Sequence, residues 1–331
     1  MKKNAISLCF ILPLVLNAVG PSADEMALYK ARRDGAQASE SLRVVDQDGV
    51  PVPGANIWGG LQTGDGPNDF IPIRGMTDAT GKYVIRGKCT NRIRCDITKD
   101  GYYDSEFLAT SYAYTHTISA GKWQPYGKST TIVLKKIKNP VAKGLRYIDR
   151  KIPSYGLWIG YDFETADWIQ PWGKGDHSDA MVRFTAREVG RFDFGYKMEL
   201  SFAHSKFAGA VRRKKDTSSR FPSIYNAMTN DEYKSVIVFE VDRKGARKDV
   251  WDQLENDEYL VFRVRTKVND KGELVSAHYG RIDGEWKFYE LHGMWIRGLY
   301  FNIVPNDTNL EDMYSLEDTM QRKRKRKETK R

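Results

Sequence analysis

The segment VVDQDGVPVPGANIWGG, residues 44–60, sets an apolar run against an Asp-Gly pair and two prolines. Asp and Gly accept the backbone angles of tight turns, and Pro holds φ near −65°. LRVVD (42–46) therefore reads as a strand, DQDG (46–49) as a turn, and VPGANIWG (52–59) as a second strand whose prolines suit an edge. Working outward, GGLQTGDGPNDF (59–70) is a Gly-rich loop. DATG (78–81) turns the chain into KYVIRG, and KDG (99–101) turns it before Tyr102. STTIVLKKI (129–137) closes the region, with Ile132, Leu134 and Lys136 alternating against Thr131, Val133 and Lys135. Short strands punctuated in this way predict a small Greek-key β-sandwich.

Three stretches in order, VVDQDGVPVPGANIWGG, MTDATGKYVIRG and ITKDGYY, resemble the carboxypeptidase regulatory-like domain, a transthyretin-type sandwich, over residues 42–137. The resemblance implies an Ig-like fold, an exported context and an accessory module. The wider group overlaps with carbohydrate-binding-like folds, which implies a lean toward glycans. It does not imply peptidase chemistry: none of His116, His177, His204, His278 or His292 has the Glu three residues on that an H-x-x-E zinc pair needs.

KNPVAKG (138–144) reads as the start of a linker over 138–150, and a second β-rich region over 151–310 follows. LWIGYDF, AMVRFTARE, FGYKMELSFA, KSVIVFEVD, EYLVFRVRTKV, GELVSAHYGRI and GLYFNIV all read as strands. Leu260, Phe262 and Val264 alternate with Arg263, Arg265 and Lys267 as on a half-buried strand. DVWDQLEN (249–256) reads as a short helix. The fold expected overall is all-β: a transthyretin/Ig-like Greek-key sandwich followed by a second, jelly-roll-like β-sandwich. DWIQPWGKGDHSDAMVRF, HYGRIDGEW and YFNIVPNDTNLE resemble secreted bacterial proteins carrying the same N-terminal module, which implies an architecture and no activity.

The ends of the chain carry different information. Residues 1–20 read as a secretory signal peptide: MKK, then an apolar run with Pro13, then Ala18 and Gly20 in cleavage spacing. The run falls short of the ~20 residues a spanning helix needs, and none of comparable length follows, so the mature chain is expected to lack a transmembrane span. The expected location is exported: periplasm, cell envelope or extracellular. Residues 21–41 read as a lead-in segment with a helical turn near Met26–Arg33. Of the net charge of +10, the last eleven residues hold +7 and Lys2 and Lys3 hold +2, so the body is nearly neutral. The run Arg322, Lys323, Arg324, Lys325, Arg326 and Lys327, in a helical or disordered tail over 311–331, repels itself and suits anionic envelope polymers or surfaces. Without interleaved aromatics it does not predict specific nucleic-acid binding. Once Cys9 leaves with the signal, Cys89 and Cys95 remain. A hairpin centred on Arg92 would set them opposite each other as a disulfide, against a reading as two buried thiols.

For chemistry, ADWIQPWGKGDHSDAM (166–181) is the most site-like stretch. Trp168 and Trp172 would offer faces for stacking on sugars, with Asp176, His177 and Asp179 bonding hydroxyls. The competing reading has both Trp packed beneath a loop. Asp65, Asn68 and Asp69 carry hard oxygens but lack the EF-hand order, so a plain connection is favoured there. No Ser-nucleophile elbow, zinc-protease, phosphate-loop or dinucleotide motif is present, and no cofactor or metal is expected. Glu164 and Asp167 are the first pair to inspect for hydrolysis. The expectation is a secreted or envelope binding or structural protein, with glycan as the candidate ligand; the alternatives are a carbohydrate-active hydrolase with an unrecognised carboxylate pair and a purely structural protein that meets other proteins.

Overall fold

In the computed structural model the described residues are 22–312, apart from 67, 110–116, 142–145, 191–192, 216–218, 231, 245–246, 253, 255–256, 284–285 and 290–292. The signal segment and the basic run Arg322–Lys327 lie outside them. The chain is all-β, as its turn spacing predicts, with a single helix among the described residues.

That helix, α1 (Ala23–Asp34), is longer than the single turn expected. Ser22 caps it reciprocally with Glu25, and Gly35 ends it at φ +80°. Leu28 and Ala31 pack it onto the first core. The first sandwich then begins at β1 (Ala36–Asp46), six residues ahead of the expected start. Its other strands are β2 (Asn56–Gln62), β3 (Phe70–Met76), β4 (Lys82–Cys89), β5 (Ile93–Thr98), β6 (Ser105–Ala109), β7 (Thr117–Ser119), β8 (Lys122–Gln124) and β9 (Lys128–Leu134). One sheet runs β4-β1-β8-β7 with β9 parallel to β1, and the other runs β3-β2-β5-β6. Leu42, Val44, Ile85 and Ile132 from the first meet Ile57, Leu61, Ile93 and Ile97 from the second.

The two strands of the opening segment thus belong to opposite sheets. Asp46 turns the chain by accepting from the Asp48 and Val50 amides. The chain pairs back only briefly, through a Val45–Pro51 bridge and the Val52 N to Val44 O bond, before Pro53, which has no donor, leads it out to the other sheet. Thr77 staples the crossing, donating to Val52 O and accepting from Ala55 N. Gly81 is obligatory in the DATG turn: at φ +74° its Cβ would stand 2.4 Å from Val44 O.

The expected disulfide is absent. Cys89 and Cys95 are both buried free thiols. They do not face each other in a hairpin, because β4 pairs with β1 whereas β5 pairs with β2 and β6, in the other sheet. Burial pushes the Cys89 thiol up to about 11 and the Cys95 thiol up to about 12.

The second sandwich comprises β10 (Arg146–Lys151), β11 (Trp158–Asp162), β12 (Asp167–Trp168), β13 (Ala180–Gly190), β14 (Asp193–Ser201), β15 (Gly209–Lys214), β16 (Val236–Lys244), β17 (Arg247–Asp252), β18 (Glu258–Val268), β19 (Leu274–Asp283), β20 (Trp286–Tyr289) and β21 (Gly293–Phe301). One sheet is ordered β12-β11-β13-β14-β16-β17. The other is β10-β21-β19-β18-β15, with β20 on β21. Phe184, Met198, Leu200 and Phe239 of the first face Phe262, Ile282, Trp286 and Ile296 of the second in one core. Where a helix is expected over 249–256, the described residues up to Asp252 instead continue β17 (Arg247–Asp252), which pairs along the edge of β16.

β18 departs from its expected half-burial. Leu260, Phe262 and Val264 enter the main core, but Tyr259, Val261 and Arg263 are buried too. Their face is covered by Ile224, Ala227, Tyr233 and Leu310, which form a small third core with Ala277, Tyr279 and Tyr300. Arg263 donates to Phe207 O and Thr229 O and lies over the Tyr233 ring.

This covering layer joins the two sandwiches. Glu311 accepts from Tyr103 Oη at 2.8 Å, Lys138 N at 2.9 Å and Asn139 N at 2.6 Å. Lys135 Nζ donates to Ser223 O, Tyr225 Oη to Lys136 O, and Arg220 N to Asp104 O. The first residues of the segment read as a linker are therefore held, and Val141 forms a parallel bridge with Asp312. Beneath the layer Arg281 has no solvent exposure. It bonds Asp283 and Asp312, and its guanidinium lies 5.1 Å from the ring centres of both Phe221 and Tyr300.

Two outcomes test this packing. Alkylation of the folded protein should leave the Cys89 and Cys95 peptides unmodified and label both after unfolding in the absence of reductant, as peptide mass spectrometry would show. Arg281→Ala would strand two buried carboxylates and should lower stability in urea by about 3–5 kcal/mol.

Candidate ligand-binding groove

The stretch 162–179, singled out in the sequence, folds around a buried carboxylate. Asp162 Oδ1 accepts from the amides of Glu164 and Thr165, and Oδ2 from those of Asp176 and His177. Arg265 reaches it from β18. The alternation of β18 would turn Arg265 away from the core with Arg263, but a register shift and φ +50° at Arg265 re-aim it. Its guanidinium contacts Asp179 at 2.9 Å, Glu164 at 2.6 Å and Asp162 at 3.2 Å, and lies 4.7 Å from the Phe301 ring centre. Burial raises the Asp179 pKa against the pull of Arg265. Burial would raise Asp162 as well, but its backbone donors and Arg265 outweigh it and hold the group below the ordinary carboxylate range.

This arrangement removes the sugar platform expected there. Trp168 is 2% exposed, edge-on to Tyr161 and Phe184, with Nε1 donating to Lys151 O. Trp172 is 49% exposed, so the two indoles share no open surface. Asp176 and His177 have exposed side chains but serve the fold through their amides, and Asp179 is occupied by Arg265 and the Phe163 amide. Glu164 pairs with Arg265, and Asp167 pairs separately with Arg150 at 3.0 Å. Glu164 thus belongs to the Arg265 cluster and Asp167 to a separate ion pair.

The first sandwich carries a more open site. On the outer face of its β3-β2-β5-β6 sheet lies a groove of about 500 Å³. Strand alternation puts Trp58, Gly60 and Gln62 of β2 on this face. Asp96 and Arg94 of β5 stand opposite Trp58 and Gly60, and Phe70 of β3 stands opposite Gln62. Trp58 is 37% exposed and Phe70 50%. Gly60 makes the floor: a Cβ there would come within 2.8 Å of the Phe70 ring, so any larger residue would displace that wall. Asp65, Gly66 and Asp69 form the rim, which is held by bonds from Thr63 N to Asp69 O, Gln62 Nε2 to Gly64 O and Gly66 N to Asp69 Oδ2. Asp69 thus serves the loop, and among the described residues no group of three acidic, His or Cys side chains is arranged to hold a metal. Arg92 and Arg94 with Asp65, Asp69 and Asp96 give the lining both signs of charge.

No family model matches this chain. No curated protein matches it in sequence. Among solved structures it is similar to 3-chlorocatechol 1,2-dioxygenase from Rhodococcus opacus, at 14% identity and a TM-score of 0.26 over 32% of this chain and 62% of that one. It is similar to a streptococcal ancillary pilin at 9% identity and 0.22, over 84% of this chain and 62% of that one. A DUF3823 family protein from Parabacteroides merdae is similar at 10% identity and 0.20, over 81% of this chain and 100% of that one. The chain spans under two thirds of the lengths of the first two. Likeness at these scores carries no argument about function, which rests on the groove itself. No helix among the described residues is long and apolar enough to cross a membrane.

The Asp162 cluster predicts a pH dependence. A folded pKa below the unfolded value gives stability that is complete above the unfolded carboxylate pKa, about 3.9, and is lost as pH falls through the folded value. Asp162→Asn should therefore lower the unfolding free energy measured in urea at neutral pH by about 1–3 kcal/mol, and lose less further stability than the parent between about pH 5 and pH 3.

Proposed function

We propose that this chain is an exported binding protein that holds a carbohydrate in the groove between Trp58 and Phe70. The observation that carries this reading is a pair of exposed aromatic side chains, Trp58 and Phe70, the latter lying close over Gly60, on a groove ringed by polar groups of both signs. A sugar ring presents an apolar C–H face and a hydroxyl edge, which is the mixture an aromatic face beside hydrogen-bonding side chains can accept. The mixed charge favours a neutral glycan: each hydroxyl can donate to Asp65 or Asp96 and accept from Arg92 or Arg94.

The motif resemblance over 42–137 supports an accessory, carbohydrate-binding-like module, and the signal-like residues 1–20 support export. The basic run Arg322–Lys327 adds a non-specific attraction to anionic envelope polymers. Glu164 and Asp167, the first pair to inspect for hydrolysis, are held by separate arginines, Arg265 and Arg150.

The test is calorimetric titration of the purified chain with cellohexaose, xylohexaose and mannohexaose, in about 0.5 M salt to screen the tail. At least one should bind. Trp58→Ala should weaken that binding about tenfold or more, and Trp172→Ala should leave it unchanged. No binding of any of the three, or equal binding by Trp58→Ala, would overturn the reading and leave a purely structural role.

A further inference from the structure

The groove is wholly on the first sandwich, yet one of its side chains is braced from the second. Glu106 on β6 stands directly across from Asp96 on β5. Two carboxylates side by side on one sheet face repel, so that position needs cations nearby. Arg94 supplies one, with Nε 3.0 Å from Glu106 Oε1 and Nη2 3.1 Å from Oε2. The other is Arg220, outside the groove lining, whose Nη2 stands 3.0 Å from the same Oε2.

Arg220 is held independently of this contact. Its amide donates to Asp104 O, Ser219 bridges Ser105, and Phe221 packs on Tyr103 at 5.2 Å. The guanidinium is thus delivered to Glu106 from a fixed backbone. We propose that Arg220 is a positioning residue for the groove: it fixes the Glu106 carboxylate and offsets its charge, so that Arg94 keeps one orientation and a net positive character toward a bound hydroxyl. Arg94 has a side chain 55% exposed, whereas Glu106 is at 19% and Arg220 at 28%. The brace is therefore more enclosed than the residue it steadies. Without Arg220 the Arg94–Glu106 pair is neutral and Glu106 regains rotamer freedom. Both effects weaken Arg94 as a donor. Binding in the first sandwich then depends on the second, although no residue of the second lines the groove.

This rests on the groove being the binding site, so the experiment has two arms. In the first, ¹⁵N NMR follows hydrogen exchange at Arg94 Nε in the full chain. Exchange should be slow in the parent, and faster by about fivefold or more in Arg220→Ala and Glu106→Gln. Unchanged exchange in both variants would overturn the brace. In the second, the hexasaccharide bound best by the parent is titrated into Arg220→Ala, Arg220→Lys, Arg94→Ala and the Arg94→Ala/Arg220→Ala double variant. Arg220→Ala should bind about fivefold more weakly, Arg220→Lys should recover most of that loss, and the double variant should bind no more weakly than Arg94→Ala alone. An Arg220→Ala affinity equal to the parent's, or losses that multiply in the double variant, would show that Arg220 does not act through Arg94. If the parent binds none of the three sugars, the glycan reading fails and the exchange arm still decides whether Arg220 positions Arg94.

Discussion

Arg281 is a guanidinium sealed from water, and a charge in that position persists only when it is paired and hydrogen-bonded. One of its carboxylates, Asp283, comes from its own strand; the other, Asp312, comes from the last described residue. Its faces are covered by Phe221 and Tyr300. Residues 219–225 and 309–312 must therefore lie over the outer face of β18 and β19, and these are the segments that grip the first sandwich. Leu310 N bonds Tyr225 O, and Ala227 N bonds Thr308 O, so the two segments also hold each other. The joint between the sandwiches is built outward from one desolvated cation. Tyr103 and Glu311 extend it to the first sandwich and to the chain between the two.

The groove draws on that joint at one remove. Its shape comes from β2, where Gly60 leaves a gap between Trp58 and Gln62 that the Phe70 ring leans across. Its polar character comes from β5 and the rim residues Asp65 and Asp69. The Arg94 side chain, however, is set by Glu106, and Glu106 is shared with Arg220, one residue before Phe221 in the joint. Packing at the centre of the molecule and chemistry at its surface are linked through adjacent residues.

Much of the fold is legible in the sequence because turns announce themselves. Asp46, Gly49, Asp78 and Gly81 each adopt the hydrogen bond or positive φ that their type suggests. What local patterns do not carry is pairing. VVDQDGVPVPGANIWGG reads as two neighbouring strands, yet the strands part into different sheets; Cys89 and Cys95 part for the same reason. The outer face of β18 reads as solvated because Arg263, Arg265 and Lys267 recur every second residue. A covering layer distant in sequence buries Arg263, and a bulge turns Arg265 inward. The site-like stretch at 166–181 misleads because Trp168 and Trp172 are alike in type and opposite in environment. Trp58, Gly59 and Gly60 end the segment 44–60, and Gly-Gly inside a strand is itself a sign of close approach. Their partners Phe70, Arg94 and Asp96 come from other strands, and only the fold brings them to Trp58.

The buried joint around Arg281 makes the two sandwiches a single cooperative body. Differential scanning calorimetry of the purified chain should therefore show one unfolding transition with equal calorimetric and van't Hoff enthalpies. Two separate transitions, each insensitive to substitution of Arg281, would mean that the sandwiches unfold independently of the joint.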